Sequence, residues 1–220
     1  MKRLLIIQPG RSGDIIICLP IAKWYSKDYE VEWLCPKEYH SIFRNINYCS
    51  PVEFSSGGYD KVIDLSFGIT PGTELHAWWV NTRPLWQSFI IPKYIIAEVP
   101  LRERWNLIWE RDPEREDDLF SKLIADERFS YNLVQDQTHD LQVDLDVPNK
   151  IVFHPIDDFN IFDWYKMIQN ANSIHCIDSL LCNFIEVVPA FLTKLKFYYQ
   201  TKKTPEICDR TLLINNWRFL

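Results

Sequence analysis

Glycine is scarce and unevenly spread: all six glycines of the 220-residue chain stand at positions 10, 13, 57, 58, 68 and 72. Beyond Gly72 there is none, which excludes a glycine-rich phosphate loop there and leaves any anion site to a helix N-terminus and side chains. The six cysteines, at 18, 35, 49, 176, 182 and 208, form no C-x-x-C pair and have no metal-ligand spacing with histidine. They read as reduced, mostly buried thiols. Basic charge is also short: 24 Lys and Arg against 30 Asp and Glu give a net charge of -6, which argues against nucleic acid or an anionic membrane as the main partner. No run approaches the ~18 apolar residues of a membrane span, and Gln8 to Asp14 interrupts the apolar start well short of a secretory core. No transmembrane segment is therefore expected, and a cytoplasmic address follows.

What is present is an ordinary globular composition, 47% hydrophobic and 25% charged, with a heavy aromatic load of Trp 9, Tyr 10 and Phe 13. Leu4 to Gln8 is an apolar strand, Pro9 to Asp14 a tight turn, and Ile15 to Ala22 an apolar helix. Further strands are expected at Glu30–Pro36, Val52–Phe54 and Lys61–Phe67, with a short helix at Glu38–Arg44. Helical spacing marks Glu74–Trp86, and Pro84, Pro92 and Pro100 break up the region that follows. Asp112 and Pro113 open a helix that runs to about Ala125.

Strands are then expected at Phe129–Val134, Ile151–His154, Ser173–Ile177 and Leu195–Tyr199, with helices at Asn160–Asn170 and Leu180–Val187. The end near Trp217 folds back in this reading. Strands alternating with short helices imply parallel sheets, so the expected fold class is α/β, two small Rossmann-like domains. The division is placed at 1–125 and 126–220.

Two junctions carry candidate chemistry. In the first, Gly10 and Gly13 let the backbone approach a ligand, Arg11 offers a permanent cation, Ser12 a hydroxyl and Asp14 a carboxylate. Asp14 is either a general base toward a hydroxyl nucleophile or simply the cap of its helix. In the second, Asp178 and Ser179 open a helix whose backbone N–H groups attract an anion, and here too capping is the alternative. His154, ending a strand before Pro155, suits a cleft better than His139, whereas mid-strand His175 reads as a satisfied structural histidine. The Trp78–Trp79 pair reads as packing.

Together the two junctions resemble the ADP-heptose:lipopolysaccharide heptosyltransferase-like glycosyltransferases, family 9, of two-domain GT-B architecture. The first signature is the strand, Ser-containing loop, Gly-Asp and Pro of Leu5 to Pro20; the second is the alanine-bearing helix, strand and Asp-Ser of Ile168 to Asn183. Leu180 stands where the family has glycine, Asn183 where it has histidine, and no equivalent of its phosphate-contacting lysine is evident. The resemblance implies a compact relative that transfers a sugar from a nucleotide-sugar donor to a glycan or lipid-linked acceptor, without metal or other cofactor. It implies Asp14 as catalytic base; with the readings of the two junctions and of His154, the expected binding residues are Gly10, Arg11, Ser12, Gly13, His154, Asp178, Ser179 and Asn183, facing a cleft between the sheets. A non-catalytic nucleotide- or glycan-binding module and a nucleotide-sugar epimerase or hydrolase are the alternatives.

Overall fold

The computed structural model describes residues 2–66, 90–126, 128–138, 141–177, 179–199 and 213–220. The chain divides into two compact units, Met1–Glu110 and Arg111–Leu220.

The first unit opens with strand β1 (Lys2–Ile7), helix α1 (Ser12–Tyr25) and strand β2 (Tyr29–Leu34). A 3-10 helix at Lys37–Asn45 leads to β3 (Ser50–Val52) and β4 (Lys61–Asp64), and α2 (Ile90–Ile96) precedes a second 3-10 helix at Leu101–Trp105. The strands form one parallel sheet in the order β3-β2-β1-β4. Leu4, Leu5 and Ile6 are all buried, so the middle strand is covered on both faces, the situation that turns alternation into a continuous apolar run. Every residue of α1 from Ile15 to Ala22 is likewise buried, and the helix is accordingly apolar on all sides. Chain order reverses at β1, with β2 on one side and β4 on the other. In open parallel sheets ligands bind outside the carboxyl ends of strands at such a reversal.

The second unit begins with α3 (Pro113–Leu123), capped by Asp112, whose side chain accepts a hydrogen bond from the Arg115 backbone N–H at 3.2 Å. Strands β5 (Asn132–Gln135) and β6 (Lys150–Val152) follow, then a 3-10 turn at Ile161–Trp164 and α4 (Tyr165–Asn170). The unit closes with β7 (Ser173–Cys176), α5 (Leu180–Val187), a 3-10 turn at Pro189–Phe191, β8 (Leu195–Tyr198) and β9 (Trp217–Phe219). This sheet is also fully parallel, ordered β6-β5-β7-β8-β9, and its chain order reverses at β5.

The α/β class with two parallel sheets stands as expected. The domain boundary does not: α3 belongs to the second unit, not to the first, because its Arg115 pairs with Asp163 at 3.2 Å and its Lys-facing Asp117 accepts from Lys166 at 2.7 Å. The division thus falls after Glu110 instead of after residue 125. The single helix expected over Asn160–Asn170 is split, since Asn160 and Asp163 make a reciprocal capping box around a 3-10 turn before α4 begins. The carboxyl-terminal segment does fold back, as a strand paired to β8. Cys18, Cys35, Cys49, Cys176 and Cys182 are reduced and buried. Among the described residues no helix is long and apolar enough to cross a membrane. The Glu74–Trp86 helix, with Trp78 and Trp79, and also His139, Asp178 and Cys208, lie outside the described residues.

Candidate functional site

The turn after β1 delivers five of the sequence-selected residues to the reversal in the first sheet. Arg11 occupies the position before α1 and makes no side-chain cap; Ser12, Gly13 and Asp14 are the first three residues of the helix. Asp14 is therefore not the cap of α1. It sits in the first turn, where the positive end of the helix favours a carboxylate. Gly10 is buried, Arg11 exposed, and the Asp14 side chain keeps 16% of its surface accessible.

Two residues not singled out in the sequence complete this site. Gln8, directly after β1, and Lys93, from α2, are both buried. The Lys93 Nζ donates to the Gln8 Oε1 at 2.8 Å and to the Leu65 carbonyl, directly after β4, at 2.8 Å. The same Nζ stands 3.9 Å from Asp14 Oδ1. Gln8 Nε2 has no hydrogen-bond partner although it is buried. Helix α2 is fastened to α1 just beyond Lys93: Tyr94 donates its hydroxyl to the Ile17 carbonyl at 2.9 Å, and Tyr25 donates to the Ala97 carbonyl, directly after α2, at 2.6 Å. A cation is thereby fixed between the two strand ends, beside a carboxylate that retains contact with solvent.

Burial pushes the Asp14 carboxyl above its ordinary value, and the nearby charges of Lys93 and then Arg11 act in the opposite direction. A carboxylate partly withdrawn from water accepts a proton more readily than an exposed one. Its neighbour Cys18 is pushed up by burial to about 12 and stays a neutral thiol.

At the reversal in the second sheet, the start of α5 is filled by the protein itself. Ser179 Oγ accepts from the Cys182 N–H at 3.5 Å, and Gln135 Oε1, from the end of β5, accepts from the Leu181 N–H at 2.9 Å. Ser179 is thus a helix cap. Asn183 Nδ2 donates to the Ser179 carbonyl at 2.9 Å, within one helical turn. His154, after β6, is exposed and its Nδ1 lies 2.9 Å from the Pro155 carbonyl. His175 is held on both nitrogens, Nε2 to Ser173 Oγ and Nδ1 to the Tyr199 hydroxyl, each at 2.8 Å, which makes it structural. Gly10, Arg11, Ser12, Gly13 and Asp14 therefore share the first unit, and His154, Ser179 and Asn183 the second. No group of three His, Cys, Asp or Glu that could hold a metal ion occurs among the described residues.

A lone lysine inside Ile90-Ile91-Pro92-Lys93-Tyr94-Ile95-Ile96 was the available signal for the missed cation, because lysine is almost never fully buried without partners. Its partners come from two separate strand ends, which no spacing in the sequence reveals.

No known sequence family matches the chain, and no curated protein does. Solved structures do. A family 9 glycosyl transferase from Veillonella parvula aligns over 100% of this chain and 85% of its own, with a TM-score of 0.60 and 10% identity. The iron-containing dodecameric glycosyltransferase TibC of enterotoxigenic E. coli aligns over 90% of this chain and 58% of its own, with a TM-score of 0.55 and 10% identity. The E. coli heptosyltransferase WaaC, solved with ADP, aligns over 99% and 92%, with a TM-score of 0.50 and 13% identity. The chain has the fold of these glycosyltransferases.

Proposed function

We propose that the chain is a glycosyltransferase that moves a sugar from a nucleotide-sugar donor to an acceptor hydroxyl, without a metal ion and with Asp14 as general base. The observation that carries this reading is the place of Asp14: a buried-leaning carboxylate in the first turn of α1, beside the reversal of a parallel sheet and next to a fixed cation. The shared fold with family 9 glycosyltransferases supports the reaction class, and the ADP held by one of them supports a nucleoside diphosphate as leaving group. In the reaction the acceptor oxygen bonds to the anomeric carbon of the donor sugar. The bond from that carbon to the diphosphate oxygen breaks, the diphosphate departs with the electron pair, and the hydroxyl proton passes to Asp14. Arg11 supplies positive charge toward an anionic group. The acceptor is a glycan or a lipid-linked sugar in this reading.

A second reading is favoured by the start of α5. Two N–H groups there are already taken by Ser179 and Gln135, and Leu180 and Asn183 replace the family's glycine and histidine. A module that holds a nucleotide or glycan without turnover would tolerate that loss. Titration calorimetry against UDP-, GDP- and ADP-sugars, followed by an assay for free nucleotide, separates the two. Binding with nucleotide release supports the transferase. Binding without release, with every acceptor tried, supports the module, and no binding removes the transferase and any module that holds a sugar nucleotide.

A further inference from the structure

The Lys93 ammonium lies 1% exposed, farther from water than Asp14, and donates to two neutral oxygens, of residues directly after β1 and β4. Neutral acceptors satisfy its hydrogen bonds but not its charge, and a buried ammonium is stable only where an anion lies close. Among the described residues, Asp14 at 3.9 Å is a carboxylate set beside it. The separation is too long for a direct hydrogen bond, so Asp14 is left free to take and release a proton while the cation stays where it is. Arg11, the other cation near Asp14, is exposed and therefore acts through water. Among the described residues the remaining ionisable neighbours are Cys18 on the same helix and Tyr39 from the 3-10 helix, the latter next to Glu38. Both Cys18 and Tyr39 are pushed upward by burial and remain neutral near neutral pH.

We propose that Lys93 is a positioning residue for the reaction assigned above: a cation fixed by Gln8 and the Leu65 carbonyl that holds Asp14 in its ionised, proton-accepting form. The inference rests on the reading of Asp14 as general base, and it accounts for a fully buried lysine in an otherwise apolar helix. Burial alone favours a protonated Asp14, which accepts nothing; Lys93 opposes that from the protein side, and so does so in every step of the cycle.

The test follows the Asp14 carboxyl directly, by NMR of carbon-13-labelled aspartate in the full chain, with Asp14→Asn to assign the signal. Lys93→Gln, which keeps a donor for Gln8 and Leu65 but removes the charge, is expected to move the Asp14 midpoint to higher pH. Lys93→Arg is expected to return it toward the wild-type value. The acid limb of kcat/KM moves with the midpoint, and below it the rate falls by about tenfold per pH unit. A merely structural Lys93 would lower the melting temperature and leave the midpoint in place, which would overturn the proposal. If Lys93→Gln does not fold, nitrogen-15-labelled lysine in the wild type provides the same test: the Lys93 Nζ signal carries a step at the Asp14 midpoint that Asp14→Asn abolishes. A wild-type Lys93 signal without that step overturns the proposal as well. Absence of any turnover in the wild type defeats the transferase reading alone, because both titrations still decide what Lys93 does to Asp14.

Discussion

Lys93 Nζ stands 3.9 Å from Asp14 Oδ1, a contact between residues far apart in sequence and from different helices. It exists because α1 and α2 are clamped together by the Tyr94 and Tyr25 hydroxyls, and because Gln8 and Leu65 both present oxygens to the same ammonium.

The first prediction concerns stability. The Asp14 carboxyl is raised in the folded protein above its ordinary value of 3.8. A carboxyl raised in this way contributes stability that is fully present below its unfolded value and is lost as pH rises through its folded value. Relative to Asp14→Asn, wild type should therefore be most stable in acid and lose ground as pH rises through the folded value of Asp14, whatever constant offset the loss of the carboxylate beside Lys93 adds. Melting curves across that range check it, and an Asn variant that is markedly weaker only at neutral pH would contradict the sign.

The second concerns the start of α5. Gln135→Ala removes the acceptor of the Leu181 N–H and should lower stability by ~1–2 kcal/mol in denaturant titrations. Ser179→Ala should lower it by ~1 kcal/mol through loss of the cap. If a nucleoside diphosphate binds at this helix start, Gln135→Ala frees an N–H for it, and ADP affinity should not fall.

The third concerns the carboxyl-terminal strand. Glu186, fully buried in α5, accepts from the Trp217 indole N–H at 2.8 Å and from the Ile214 N–H at 3.1 Å. Glu186→Ala strands both donors and should cost ~2–4 kcal/mol. Limited proteolysis should then cut near Ile214 to Trp217 before the rest of the unit, whereas uniform cleavage would show that Glu186 does not secure the strand.

The fourth concerns the thiols. Burial raises Cys18 and Cys35 to about 12, and it pushes Cys49 and Cys176 higher still. Native protein at mildly alkaline pH should leave at least the five described cysteines unreacted with a thiol reagent, while all six react after unfolding.

The α/β class, the order of the strands along the chain and the strand-turn-helix junction that carries Asp14 were legible because apolar runs, turn residues and a Gly-Asp junction are local signals, although α1 starts at Ser12 and so takes Asp14 into its first turn. Asp112 was equally readable as a cap, since Pro113 and the acids that follow favour a helix start. What escaped was decided by contacts between distant segments. Lys93 reads as an oddity in an apolar stretch until β1 and β4 are side by side. Gln135 reads as a residue just past the strand until β5 is seen to include it, β7 pairs alongside and the Leu181 N–H is carried to its side chain. The boundary was misplaced for the same reason: α3 is tied by Arg115 to Asp163, a partner that the helix's own sequence does not announce.

The most direct test is the rate of nucleotide release from the sugar nucleotide that binds, with acceptor present, in wild type and Asp14→Asn at matched folded fraction. A base role predicts a fall of ~100- to 10,000-fold with nucleotide affinity retained. Undiminished release by a variant with the wild-type melting temperature would contradict the assignment.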